Sequence, residues 1–306
     1  MHTRIAQNHI SFKNLLKNET MIRNILPQKK QKFSLYTTLL FALLLSSCTH
    51  LMHLDRAQDA FSKGAELENA SLFNPASISA SSPQTYYNIA YAEADKALET
   101  KGKLQKVNVL GTTYSIKALS SWKLKNYDEA RNLAKTAKRY IKSGSADNGL
   151  KKNVSRDYAV MEALDALISI EEANDSIYSL FDPGKTVTAE VAIGIYKKLI
   201  HNSDTKGKIE TAIMQLDDIS ATVNEKHEVR IYFNMSQLAG LKVWSDALSK
   251  IKSLLQQQDA YQANKDWFRD QEDLFDAKKE TYLGTLATKL PNGITDSVYL
   301  YWKFIL

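Results

Sequence analysis

From Leu51 onward the apolar residues recur three and four positions apart, and the valine and isoleucine alternation expected of strands is scarce. This pattern predicts an all-α body. Polar breaks interrupt it at 71–83, which holds Asn74-Pro75 and Ser82-Pro83, at Gly102, at 144–149, at Asp182-Pro183-Gly184, at 202–206 and at Pro291-Asn292-Gly293. Between the breaks, helices are predicted near 51–70, 84–100, 105–124, 127–142, 153–177, 187–201, 207–222, 226–242, 244–257 and 260–289. Short connections between helices of this length favour antiparallel neighbours.

The residues before Leu51 follow another pattern. Lys29-Lys30-Gln31-Lys32 precede the apolar run Phe33 to Leu45, and Ser46-Ser47-Cys48 follow it. A basic region, a short apolar run and small residues before a cut make a secretory signal. The apolar run covers 13 residues, whereas spanning a bilayer takes about 20. Leu45-Ser46-Ser47-Cys48 resembles the lipobox of bacterial lipoproteins, in which a branched apolar residue and two small ones precede the modified cysteine. The resemblance implies a diacylglycerol thioether on Cys48, cleavage after Ser47 and acylation of the new amino terminus. An ordinary signal peptide with an incidental cysteine is the alternative. Thr49 follows the cysteine; in the family's sorting pattern an aspartate there retains the protein at the inner membrane, so its absence implies the periplasmic face of the outer membrane. Met21 gives a leader of ordinary length, so residues 1–20 read as a mis-assigned start.

Within the body, Ala118, Trp122, Leu124, Asn126, Tyr127, Glu129 and Ala130 continue through Ala134 and Ala137 in a spacing that resembles a tetratricopeptide repeat. That resemblance implies two antiparallel helices whose small residues face each other. Ala118 is the small residue of the first helix, Leu124 its last apolar contact and Tyr127 the aromatic that opens the second. Helix axes approach to about 8–10 Å only where such side chains permit it. Asn126 and Glu129 have the spacing of a capping pair for the second helix. Partial echoes occur at Tyr87 with Ala90, Ala94 and Ala97, at Ala192 with Tyr196 and Leu199, and at Leu241 and Trp244 with Ala247, Ile251 and Leu254. The successive intervals Ala90 to Ala130, Ala130 to Ala192 and Ala192 to Ala247 are 40, 62 and 55 residues, against about 34 in a regular array. The reading is one good repeat with degenerate ones and inserted helices, stacked as a TPR-like α-solenoid. If the family's groove is carried over, Thr112, Ser115, Leu119, Trp122 and Lys123 of the first helix face it. For Trp122, packing between repeats is the alternative.

Charge and chemistry narrow the function. The net charge of +6 lies wholly in residues 1–47, which carry seven basic residues and one acidic, leaving 33 basic and 33 acidic residues in the rest. A neutral body lacks the electrostatic footprint of phosphate recognition, so nucleic acid is not an expected partner. One cysteine cannot form an internal disulfide. The Gly184-Lys185-Thr186 triplet has Ser179 where a phosphate loop needs glycine, and His227-Glu228 has Ile231 where a zinc-protease helix needs its second histidine. His50 and His53 supply at most two ligands, and Glu171-Glu172 and Asp217-Asp218 are neighbours that point apart on a helix and read as solvated faces. No catalytic residue, metal or cofactor is therefore assigned beyond the covalent lipid on Cys48.

The expected organisation is a signal peptide over 1–47, a lipidated N-terminus with first helix and linker over 48–83, TPR-like repeats over 84–257, and a long helix with a capping segment over 258–306. The aromatic run 294–306, with Tyr299, Tyr301, Trp302 and Phe304, is expected to close the end of the core. The expected function is that of a scaffold holding an envelope protein or peptide. The alternative is an accessory ligand-binding or regulatory lipoprotein of a transport or cell-wall machine.

Overall fold

The computed structural model describes residues 33–73, 82–141, 155–180, 204–223, 228–256 and 259–306 with parts of 188–195, and, from Thr49 onward, their side chains except at 178, 180, 204–206 and 260. The chain divides into a unit of Met1–Cys48 and a unit of Thr49–Leu306, and the packing below is that of the second. All regular structure among the described residues is helical. The helices are α1 (Phe33–Phe73), α2 (Pro83–Leu98), α3 (Lys101–Lys106), α4 (Leu110–Lys123), α5 (Tyr127–Tyr140), α6 (Arg156–Leu180), α7 (Asp204–Thr222), α8 (Val229–Leu255), α9 (Asp259–Ala263), α10 (Lys265–Lys289) and α11 (Ser297–Ile305). No helix among the described residues is long and apolar enough to cross a membrane.

Most helices begin and end where the breaks place them. Ser82 caps α2 by accepting the Gln84 N–H at 3.2 Å, with Pro83 at the first helical position, where its missing N–H costs nothing. Several boundaries differ: α1 runs on from Phe33, Gly102 lies inside α3, and the helix expected over 260–289 is divided at Asn264 into α9 and α10. The helix expected over 105–124 is interrupted at Asn108, which takes φ +59°. The Asn108 N–H donates to Gln105 O and the Val109 N–H to Leu104 O, closing α3 with a Schellman motif. Asparagine tolerates this left-handed backbone, and no glycine or proline advertised the break. Conversely, the helices expected over 226–242 and 244–257 are one continuous α8. Its apolar stripe, Phe233, Leu238, Leu241, Trp244, Leu248, Ile251 and Leu255, stays buried without a phase change, so nothing stops the helix at Val243.

The turn between α4 and α5 also departs from expectation. Lys125 takes φ +63°, and the N–H groups of Lys125 and Asn126 donate to Trp122 O and Ser121 O, again a Schellman closure. Asn126 is the N-cap residue of α5, yet its side chain makes no capping bond. Its own N–H is already held by Ser121, so Glu129 cannot reach back to it. Glu129 instead accepts from the hydroxyls of Ser121 and Tyr91, at 2.8 and 2.6 Å.

Successive helices pack on one another: α2 on α4, α4 on α5, α5 on α6, α6 on α7, α7 on α8 and α8 on α10, with α6 also touching α4 and α8. Ala118, Ala130, Ala134 and Ala137 are all at most 4% exposed, so the α4–α5 hairpin closes on small side chains. Gly64 plays a similar part between α1 and α2, because a Cβ there would meet the Tyr87 ring at 2.7 Å. One core cluster joins α1–α6 to parts of α7 and α8, and a second joins α6–α8, α10 and α11. Trp302 of α11 is buried in the second, whereas Phe304 is 81% exposed. The turn at Asp182–Gly184, the Gly184-Lys185-Thr186 triplet, His227, and the echo at Ala192 and Tyr196 lie outside the described residues.

Candidate functional site

The first helix of the alanine hairpin, α4, carries all five residues expected in a partner groove, and the fold separates them into two sets. Thr112, Ser115 and Leu119 line a cleft of about 480 Å³. Its other walls come from α1 (Gln58, Phe61), α6 (Val160, Met161) and α8 (Val229, Tyr232). Ser115 is buried and its hydroxyl donates to Gly111 O at 3.1 Å, so it shapes the wall more than it offers a free polar group. The face of α4 is therefore not an open groove floor, because α1 stands beside it. The α1 contribution was legible only as a stripe of Leu54, Ala57, Phe61 and Gly64 at helical spacing; which helix it covers was not.

Trp122 and Lys123 do not line that cleft. Trp122 is 4% exposed, as the packing alternative expects, and Lys123 donates to Glu68 of α1 at 3.0 Å while lying 4.3 Å from the Trp122 ring centroid. They belong to a polar clamp that joins five helices. Glu68 accepts from Tyr87 of α2 at 2.5 Å. Tyr127 of α5 donates to Asp175 and, more distantly at 3.4 Å, to Glu171, both on α6. Burial pushes the Glu171 carboxyl above the usual carboxylate range, with Lys123 and Lys125 pulling the other way and Glu68 adding to the rise. Burial, then the charges of Glu171 and Asp175, keeps the Tyr127 hydroxyl protonated and able to donate. Two lysines offset the three carboxylates, so the arrangement favours holding helices together over gathering a cation.

The remaining candidate carboxylates are also committed. Glu172 takes a two-pronged grip from Arg131 at 2.9 and 2.8 Å, and Arg131 also reaches Asp165. Asp217 accepts from Gln237 and from Tyr282 at 2.6 and 2.7 Å. The expectation that these acidic pairs are solvated faces is corrected for Glu171 and Glu172, which are half-buried against neighbouring helices; Asp217 and Asp218 stay exposed as expected, with Asp217 also reaching its two neighbours.

Near the start of the body, Glu93 of α2 accepts from His53 Nδ1 at 2.6 Å and from Lys96 at 2.7 Å, and these bonds hold its carboxyl below the usual range. His50 is buried with no partner at Nδ1, and burial lowers its proton affinity. Among the described residues no three His, Cys, Asp or Glu side chains gather as metal ligands. Ser47 and Cys48 fall within α1, and their side chains lie outside the described residues. Compared with protein-family models, with curated proteins and with solved structures, the chain has no match in any of the three.

Proposed function

We propose that this chain is a lipid-anchored scaffold of the bacterial envelope, acylated at Cys48 after cleavage behind Ser47, whose paired helices hold an envelope protein or peptide. The observation that carries the reading is the alanine-faced α4–α5 hairpin, with Ala118, Ala130, Ala134 and Ala137 buried as close-contact positions, behind a leader ending in Leu45-Ser46-Ser47-Cys48. Helix pairs that close on small residues stack into extended binding surfaces. The cleft beside Thr112, Ser115 and Leu119 is the place for a partner side chain or short segment. Thr49, in place of aspartate, directs the anchor to the periplasmic face of the outer membrane.

The anchor is tested by radiolabelled palmitate: incorporation that vanishes in Cys48→Ser supports it, and no incorporation, or incorporation that survives the substitution, removes it. The cleft is tested by a photo-crosslinking residue at Leu119 in intact cells, with one at Met214, exposed on α7, as control. A discrete adduct at Leu119 alone supports the scaffold, and identical patterns at both remove it. A second reading, an accessory ligand-binding lipoprotein, is favoured by the cleft volume of about 480 Å³, which lies in the range of small-molecule pockets. Thermal stabilisation by a cell-wall or transport metabolite, lost in Leu119→Trp, is the outcome that selects it.

A further inference from the structure

The α1 and α2 helices run antiparallel. His53 meets Glu93 at 2.6 Å, and the rings of Phe61 and Tyr87 lie 5.4 Å apart between centroids. Moving back along α1 from His53 therefore means moving forward along α2 from Glu93, which puts His50 and Leu51 level with Ala97 and Leu98. The α3 helix follows two residues later, at the end where the chain enters the body from Cys48. Helix α4 agrees from the other side: its last residue, Lys123, pairs with Glu68 near the far end of α1, so its start beside α3 lies at the same end as His50. The Lys103 charge is close enough to help depress protonation of His50.

That end carries a distinctive surface. Lys101, Lys103 and Lys106 of α3 are all exposed, and α3 holds no acidic residue. None of the three has an acidic partner among the described residues; Lys101 lies 5.9 Å from the Tyr114 ring centroid, and the one acidic neighbour at this end, the exposed Glu99, leaves the cluster net positive. Next to them in the chain Val107 is 48% exposed, and at the start of the body Leu51 and Met52 are 38% and 42% exposed. Leu104 is fully buried beneath α3, so the lysines stand on a fixed platform. Basic side chains interleaved with exposed apolar ones match the boundary of a bilayer, where phosphates meet acyl chains.

We propose that this end, built from α3 and the first turn of α1 in the body, rests on a surface of anionic phospholipid and sets the orientation of the body on the membrane. The proposal rests on the lipid anchor at Cys48: the acyl chains tether, and the lysines with Val107, Leu51 and Met52 fix which way the cleft faces.

The test uses the acylated full-length product in vesicles of phosphatidylcholine, alone or with phosphatidylglycerol. Because the chain has one cysteine, which the lipid occupies in the acylated form, a cysteine placed at Val107 or at Met214 is a unique site for a spin label. With phosphatidylglycerol present, the Val107 label is expected to be relaxed more by oxygen than by a water-soluble nickel chelate, and the Met214 label the reverse. Lys101→Glu with Lys103→Glu and Lys106→Glu, or the milder glutamine set should the first disturb folding, is expected to return the Val107 label to water. About 1 M salt does the same, since it shortens screening to roughly 3 Å. A Val107 label as water-accessible as Met214 in these vesicles, on protein whose mass shows the acyl groups, overturns the surface and leaves the anchor standing. If the mass shows no acyl groups the anchor reading falls, and sedimentation with the same vesicles decides the surface. Binding weakened about 100-fold by the triple variant, roughly 5-fold per lysine, supports it; no binding, or binding indifferent to the lysines, overturns it.

Discussion

The two core clusters solve helix packing in opposite ways. In the first, 11 of the 27 buried hydrophobic residues among those described are alanine, including the four of the α4–α5 hairpin. In the second, 2 of the 18 among those described are alanine, and Trp244, Phe268, Phe275 and Trp302 fill the space. Close approach gains many weak dispersion contacts along the backbones and leaves little room for variation. Large side chains gain more apolar burial per residue and tolerate irregular spacing. The alanine spacing of the α4–α5 hairpin was therefore readable in the first region, where only small residues fit at fixed intervals. In the second, a continuous apolar stripe was mistaken for two helices.

The comparison can be broken from either side. The largest effect is expected in the second core: Phe268→Ala, at a residue 1% exposed, should cost about 3–5 kcal/mol in urea unfolding. A loss under about 1 kcal/mol would show that this core does not depend on its aromatic filling. In the first core the sign of the volume change reverses. Ala130→Leu, at a residue 0% exposed, should cost about 1–3 kcal/mol by overpacking, and an unchanged unfolding midpoint would remove the close-contact description of the hairpin. Lys125→Gly should stabilise by about 1 kcal/mol, because it relieves a left-handed backbone. The exposed Lys125–Asp175 pair that it deletes contributes little; destabilisation would show that the pair outweighs the strain.

The smallest effect is expected as a pH slope. The raised folded-state value of Glu171 means that the native chain holds this proton more tightly than the unfolded chain does. Its stabilising contribution is full below the unfolded value near 4.5 and is lost as pH rises through the elevated folded value. Glu171→Gln should therefore raise the melting temperature at neutral pH and flatten its decline across that window. A steeper decline in the variant would refute the assignment.

Much of the fold was legible because amphipathic periodicity, the Ser82-Pro83 start and the buried alanines of 118–137 are local signals. The cleft was legible in part. Thr112, Ser115 and Leu119 share one face of α4 by spacing alone, and they do meet at one cleft. Spacing carried no information that Lys123 turns to Glu68, 55 positions earlier, or that Phe61 and Tyr232 supply the other walls. The left-handed positions at Asn108 and Lys125 were equally silent, since neither residue type demands that conformation.

Local chemistry along the chain determined the helical class, most helix limits, the neutrality of the body and the distinctness of the basic N-terminal segment, because each follows from residues within a few turns of one another. The tertiary structure alone decided which helix lies beside α4, where the carboxylates find partners and which end carries the lysines of α3. Those depend on contacts between residues far apart in the chain, whose free energy is set by burial and by the identity of the facing group.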